Sequence, residues 1–534
     1  MSGEKIPSLP NSIDLSHHLS SLAKARVLSP LKRLQKIKPK PGTISMSGGH
    51  PDPTLFPIEN LHIDALLSNS FATKNGKNSS FLEWIWSKIG TRASPKTETY
   101  TVNKFGVKSE DIDLAHALQY SGAGGMIQLQ EFAREFTKTV YTPAYGDWTI
   151  LADCGNTDAT SRCLATFCNP GDSIIVEEWT YPSFLASARP MGVKPVPVKV
   201  DGQGMMAIDL ERILSTWDEN VQGRRPRTMY TVPIGQNPTG AFRYIFSLYS
   251  ALIVCETDII IIEDDPYYFL QEGIYVPKSL RCAKTRTQNE DDPTVFIKSL
   301  TPSYLKAEFS VWTVSPSWID INIMGYCTWF PDGLADVQPI VRRTIGEARR
   351  DGYSITLWFL AVTKQWGMEK YIRWLQGLQG EYTLRRDFVV DKIHELFDVS
   401  PAIGVKATFG AGLPVMTAYL KEPVSSTMEK YQATNSKTPL FSFIPPTAGM
   451  FLWIKFHIGQ NIILKPGETL VEHIFVNLAE EGLLISPGAM FSVDESTIPE
   501  QEVAFRIAFS KGTQEEMSEG LKVLERVMRE YSRV

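Results

Sequence analysis

Residues 259–271 read IIIIEDDPYYFLQ. Four consecutive isoleucines fit a strand buried on both faces of a sheet, not one with a solvated side. The run ends in Glu263, Asp264 and Asp265, with Pro266 behind them. In open parallel sheets ligands sit beyond the carboxyl ends of the strands, so this burst of acid marks a candidate site. A carboxylate there suits a metal ion, a ribose hydroxyl or a protonated ring nitrogen. Magnesium takes more oxygen ligands than one strand end offers. Dinucleotide binding calls for G-x-G-x-x-G after an early strand, and the sequence has none.

Outward from this strand, apolar segments alternate with helical ones. Strand candidates are WTILAD (148–153), DSIIVEE (172–178), VKPVPVKV (193–200), RTMYTVP (227–233) and TVFIK (294–298); DATSRCLATFC (158–168) and AFRYIFSLYSALIVCE (241–256) lie between them. Such alternation predicts an α/β fold, a mostly parallel central sheet sandwiched by helices through right-handed crossovers. From about 370 the texture turns helical: Tyr371, Trp374, Leu375, Leu378 and Tyr382 recur at three- and four-residue steps, continued by Val389, Ile393 and Leu396. Short strands GMFLWIKF (449–456) and VAFRIAFS (503–510) follow. A last helix is predicted from Thr513, with Glu516 completing a capping box and Met517, Leu521, Leu524 and Met528 on its apolar face. The expected organisation is an N-terminal arm (1–45), a large domain (46–375) with a polar loop or insertion at about 67–110, and a smaller C-terminal α+β domain (376–534).

Bulk properties narrow the function. At 43% hydrophobic and 21% charged the 534-residue chain is an ordinary globular protein. Its net charge of -5 argues against a nucleic-acid binder. The basic cluster Lys32, Arg33, Lys36, Lys38 and Lys40 reads as a solvated arm. None of the six cysteines forms a C-x-x-C pair, and no histidine spacing suggests zinc, so no metal is expected. No apolar run reaches the roughly 18 residues of a membrane helix, and no signal-peptide core is present, so a reducing cytoplasm is the expected compartment.

Two more polar turns follow strand candidates: GQNPTG (235–240) and DCGNTDATS (153–161). Three polar strand ends can face one crevice. GNTDA opens a helix, whose free N–H groups and positive dipole end suit a phosphate; Asp158 in its first turn is ordinary helix chemistry.

With NPTG (237–240), DDPYY (264–268), GNTDA (155–159) and FRIAFS (505–510) in this order, the chain resembles the fold-type I, class I/II aminotransferases that use pyridoxal 5′-phosphate. The likeness is greatest to the aromatic amino acid, kynurenine and 2-aminoadipate branch. It extends to SHHLSSLAKARVLSPLK (16–32), ISMSGGHPDPTLFP (44–57), ALQYSGAGG (117–125), EEWTYPSF (177–184), PPTAGMFLWIKF (445–456) and LISPGAMFS (484–492), and spans roughly 15–305 and 365–530. The resemblance implies a two-stage amino transfer from an L-amino acid to a 2-oxo acid such as 2-oxoglutarate. It implies that Asp265 keeps the pyridine nitrogen protonated, an opposite charge raising that base's pKa. Tyr268 and Asn237 would bond the phenolic oxygen, Tyr181 would stack on the ring, and Asn156 and Thr157 would contact the phosphate. Tyr120 would reach the phosphate of a second subunit, so a homodimer with shared sites is implied. Arg506 would clamp the substrate carboxylate through two parallel bonds, and Gly49 would leave room for substrate. Each tyrosine also suits plain core packing, and Arg506 a surface strand.

One part of the pattern is missing. The resemblance implies a lysine in imine linkage to the cofactor near Ile321, but no lysine occurs between Lys306 and Lys364. Lys298 and Lys306 are the nearest candidates, both on the preceding segment. The stretch of about 307–363 is therefore atypical, by a misread gene boundary or by real divergence. The second case leaves two other readings, a non-catalytic or altered protein of this fold and a pyridoxal-phosphate lyase.

Overall fold

The computed structural model describes residues 16–27, 40–42, 49–71, 96–108, 111–120, 125–141, 148–152, 155–202, 204–241, 258–275, 310–314, 326–328, 353–402, 415–421, 438–458, 462–494 and 502–531, with residues 146, 496 and 498. Seven strands form one sheet: β1 (Ile150–Ala152), β2 (Ser173–Glu177), β3 (Lys194–Val198), β4 (Thr228–Thr231), β5 (Ile260–Asp264), β6 (Ser310–Val314) and β7 (Tyr326–Thr328). Their spatial order is β1-β7-β6-β5-β4-β2-β3. The pairings from β6 through β3 are parallel, and β7 runs antiparallel to both its neighbours. The isoleucine strand is the fourth of seven, as its unbroken apolar run requires.

Its side chains divide by parity. Ile260 and Ile262 pack with Ile174, Val176, Cys163, Leu164 and Phe184, beneath helices Asn156–Phe167 and Pro182–Ala188. Ile259 and Ile261 pack with Ile175, Met229, Leu210 and Leu214, beneath helix Ala207–Ser215. Both faces are dry, and successive residues serve opposite layers.

A second sheet is antiparallel: β8 (Phe397–Pro401), β9 (Met416–Leu420), β10 (Phe441–Phe443), β11 (Phe451–Phe456), β12 (Ser486–Pro487) and β13 (Val503–Ala508), in the order β8-β9-β10-β11-β13-β12. Its core, including Phe441, Ile454, Phe456 and Phe505, is covered by Leu478, Leu521, Leu524 and Met528 from helices Leu470–Glu480 and Gln514–Tyr531. The last helix has the expected cap, Thr513 N–H donating to Glu516 Oε2 at 2.7 Å and Glu516 N–H to Thr513 Oγ1 at 3.2 Å. Helix Tyr353–Leu396, broken at Gly367 (φ 67°), joins the two parts. Tyr371, Trp374 and Leu378 enter an aromatic core beside the first sheet, whereas Tyr382, Val389 and Ile393 enter the core of the second.

Part of the expected 67–110 loop is regular. Thr97–Asn103 pairs antiparallel with Asn60–Leu66, and Tyr100 and Val102 turn inward while their neighbours stay exposed. The alternation is carried by Thr, Tyr and Val among polar residues, which hid it among the charges. Among the described residues no helix is long and apolar enough to cross a membrane.

Candidate active site

Parity decides which acid of the β5 end faces the crevice. Asp264 shares its side of the strand with Ile260 and Ile262, under the start of helix Asn156–Phe167. Asn156 Nδ2 donates to Asp264 Oδ1 at 2.8 Å and the Tyr230 hydroxyl to Oδ2 at 2.9 Å. Burial, and then the charge of Asp264, push the Tyr230 phenol well above its ordinary value, so it remains a proton donor.

Asp265 points the other way. Its Oδ2 accepts from the Tyr141 hydroxyl at 3.3 Å, and the Tyr141 ring packs at 4.6 Å against that of Tyr268, tilted by 50°. Tyr268 packs on the aromatic core of Phe136 and Tyr371, not on the crevice. Burial, with the charge of Glu263 adding, raises the Asp265 carboxyl well above the usual carboxylate range. Asp265 and Tyr268, the expected pair, thus lie on the face away from Asn156 and Tyr230, because a two-residue period sends neighbours to opposite faces. Asp264 and Tyr267 have the same three-residue separation and face the crevice. Burial pushes the Tyr267 phenol up, Asp264 adds to the rise and Arg506 opposes it; Tyr181 acts on both Tyr267 and Arg506.

Asn237 stands on a turn fixed from below. Gln236 Nε2 donates to the Trp179 carbonyl at 2.6 Å and to Glu177 Oε2 at 3.2 Å, and the Thr231 hydroxyl donates to Glu177 Oε1 at 2.6 Å. Gln236 Oε1 accepts from Thr239 N–H and its hydroxyl. Before the turn, Gly235 (φ 59°) lies against the Gly449 backbone; a Cβ on it would meet Gly449 Cα at 2.6 Å. Only glycine fits so close an approach at positive φ.

Arg506, on β13, closes the crevice from the second sheet. Nη1 donates to Asn237 Oδ1 at 2.6 Å and Nη2 to Ser486 Oγ at 3.3 Å, while Nε is buried without a partner among the described residues. The guanidinium lies 4.2 Å from the Phe451 ring centroid and 4.6 Å from that of Phe491. Burial draws its pKa down, yet a guanidinium remains charged. A half-buried cation without an acidic partner among the described residues is prepared for an anion.

The remaining predicted residues are scattered. Gly155 (φ 142°) precedes helix Asn156–Phe167, and a Cβ built on it would meet no described atom within 4 Å. Asn156 is half-buried there and Thr157 is exposed. Tyr181 caps helix Pro182–Ala188 at the crevice. Tyr120 is 67% exposed and meets His50 edge-on at 6.0 Å; Gly49 is exposed, and a Cβ built on it would meet no described atom within 4 Å. Lys298, Lys306 and Ile321 lie outside the described residues. Sequence reading missed Tyr230, Glu177, Gln236 and Ser486, which act through partners distant in the chain.

The chain is similar to known proteins. The family Aminotransferase class I and II matches residues 118–267. An aromatic amino acid aminotransferase of Schizosaccharomyces pombe is 30% identical over 519 residues, covering 95% of this chain and 95% of that protein. An L-tyrosine:2-oxoglutarate aminotransferase of Serpula lacrymans is 27% identical, covering 91% of this chain and 85% of that protein. The crystal structure of the aminotransferase Aro8 from Candida albicans superposes with a TM-score of 0.75 at 27% identity, covering 98% of this chain and all of that one.

Proposed function

Because the chain belongs to the class I and II aminotransferases, we propose that it moves the amino group of an aromatic L-amino acid to a 2-oxo acid such as 2-oxoglutarate. The observation that carries this reading is Arg506: a half-buried guanidinium bonded to Asn237, with a spare buried N–H and aromatic rings on either side. A carboxylate satisfies the cation, and an aryl side chain suits walls that include Tyr181, Tyr267, Phe451 and Phe491. The names of the relatives point the same way.

Pyridoxal 5′-phosphate is the cofactor of this family, and when bound it supplies an electron sink for charge developing at the substrate α-carbon. The residues fit it. The first turn of helix Asn156–Phe167 would turn its N–H groups and positive dipole end to a phosphate, with Asn156 and Thr157 beside it. Asp264, held by Asn156 and Tyr230, would keep a ring nitrogen protonated. Asn237 gives its oxygen to Arg506, so its Nδ2 is the group it can offer a phenolic oxygen, and the Tyr267 hydroxyl would be the second donor. Tyr181 would cover the ring face. Gly49 would leave space for substrate, and exposed Tyr120 would serve a second subunit's phosphate, which supports a homodimer. Cysteine use, with Cys163 and Cys168 buried and free, supports a cytoplasmic site of action.

The group that moves the α-proton is left to the stretch 307–363, where the sequence has no lysine. The test is to incubate the purified, cofactor-supplied protein with L-tyrosine, L-phenylalanine or L-tryptophan and 2-oxoglutarate. Equal amounts of aryl 2-oxo acid and glutamate are expected by mass spectrometry. Cofactor binding without glutamate from any of the three overturns the proposal.

A further inference from the structure

A second cluster lies at the other end of the central strand. His17 and His18 close a short turn (Ser16–His18) of the N-terminal arm, just before helix Ser21–Ala25. Their rings stand 4.1 Å apart, tilted by 42°. His17 Nε2 lies 2.9 Å from Asp258 Oδ2 and 3.2 Å from Oδ1, and His18 Nε2 lies 2.9 Å from Asp258 Oδ1. The ligand atoms of the three residues all lie within 4.8 Å of one another. Asp258 begins the approach to β5 in a left-handed conformation (φ 55°), the only non-glycine residue at positive φ among those described. Aspartate tolerates that region better than most residues, and here it holds the carboxylate against both imidazoles.

We propose that His17, His18 and Asp258 bind a divalent cation of the zinc, cobalt or nickel class, clipping the N-terminal arm to the start of the central strand. Two imidazoles and a carboxylate suit these metals rather than magnesium or calcium. Tetrahedral bonds of about 2.0–2.1 Å put donor atoms roughly 3.3 Å apart, so the observed 2.9 and 3.2 Å separations need to open only slightly. The His18 side chain is 1% exposed and anchors the site, while His17 at 47% and Asp258 at 50% leave an outward face for water as the remaining ligand. A ligating imidazole must be unprotonated. Adjacent histidines show no zinc spacing because their third partner is 240 positions away.

Full-length protein, stripped with chelator and dialysed, is titrated calorimetrically with zinc chloride beside His17→Ala and Asp258→Asn. Each variant is expected to take up one equivalent less than the parent, and added zinc to raise the parent's unfolding midpoint but not theirs. Cobalt should give visible absorption in the parent that both variants lose. His17 is half-exposed, so its replacement leaves the core intact, and circular dichroism checks both variants. Equal stoichiometry in all three proteins, or no uptake by the parent, overturns the proposal.

Discussion

Arg506 donates to Asn237 across 269 positions of chain and joins the two sheets at one crevice. Lysine keeps the charge there but loses the fork that grips a carboxylate at two points. Arg506→Lys is expected to weaken binding of an aromatic amino acid to the cofactor-supplied protein by roughly 10- to 100-fold, the worth of a charged hydrogen bond, with pyridoxal phosphate affinity unchanged. Calorimetric titration with each ligand separates the two effects.

Asp264 and Asp265 should respond oppositely to the same substitution. Asp264→Asn removes the charge beside the ring nitrogen and is expected to lower cofactor affinity and turnover sharply. Asp265→Asn changes a side chain that faces Tyr141 and should leave both within a few-fold. Absorbance titration with pyridoxal phosphate reads the difference; a larger loss in Asp265→Asn than in Asp264→Asn would return the role to Asp265.

Asp265 also makes stability depend on pH. The native state binds the Asp265 proton more tightly than the unfolded chain. From the ordinary carboxylate value of 3.8 up to its raised native value, this residue therefore contributes stability that is lost as pH rises. The parent should therefore gain stability relative to Asp265→Asn as pH is lowered through the raised native value. Urea unfolding of both proteins at several pH values checks the sign; parallel curves contradict it.

Gly235 tests how closely the two sheets are joined. Gly235→Ala adds a Cβ 2.6 Å from the Gly449 backbone at positive φ, so overpacking of about 1–3 kcal/mol adds to a left-handed cost of about 1–2 kcal/mol. Gly467→Ala has a comparable φ (81°) in open space and should show the second cost alone. Denaturant midpoints give the comparison, and similar losses at both sites would remove the steric argument.

The missing lysine makes a chemical prediction. A chain with no lysine from 307 to 363 should give no phosphopyridoxyl-lysine peptide from this stretch after borohydride treatment. Peptide mass spectrometry that finds a phosphopyridoxyl-lysine from this stretch would show instead that the expressed chain differs from the sequence, and the transcript covering codons 306–364 would show how.

The parts legible in sequence were those with local signatures. Four isoleucines located the central strand, the Thr513 to Glu516 spacing gave the last helix its start, and the NPTG and FRIAFS motifs pointed to Asn237 and Arg506, which the fold brings within 2.6 Å of each other. What was not legible depended on direction. DDPYY contains two overlapping Asp-x-x-Tyr pairs, and only the facing of β5 separates them. Tyr230 and Glu177 are strand residues whose roles come from neighbours in space. Thr97–Asn103 formed a strand whose two inward residues, Tyr100 and Val102, were too sparse to outweigh its polar composition.

The alternation along β5 carries a consequence for mutation. A single residue inserted between Ile262 and Asp264, as a bulge would do, would rotate the next carboxylate into the crevice while preserving every residue type in the motif. Strand phase thus works as a chemical address: sequence comparison would score such an insertion as a trivial gap, although it would hand the ligand to a different acid.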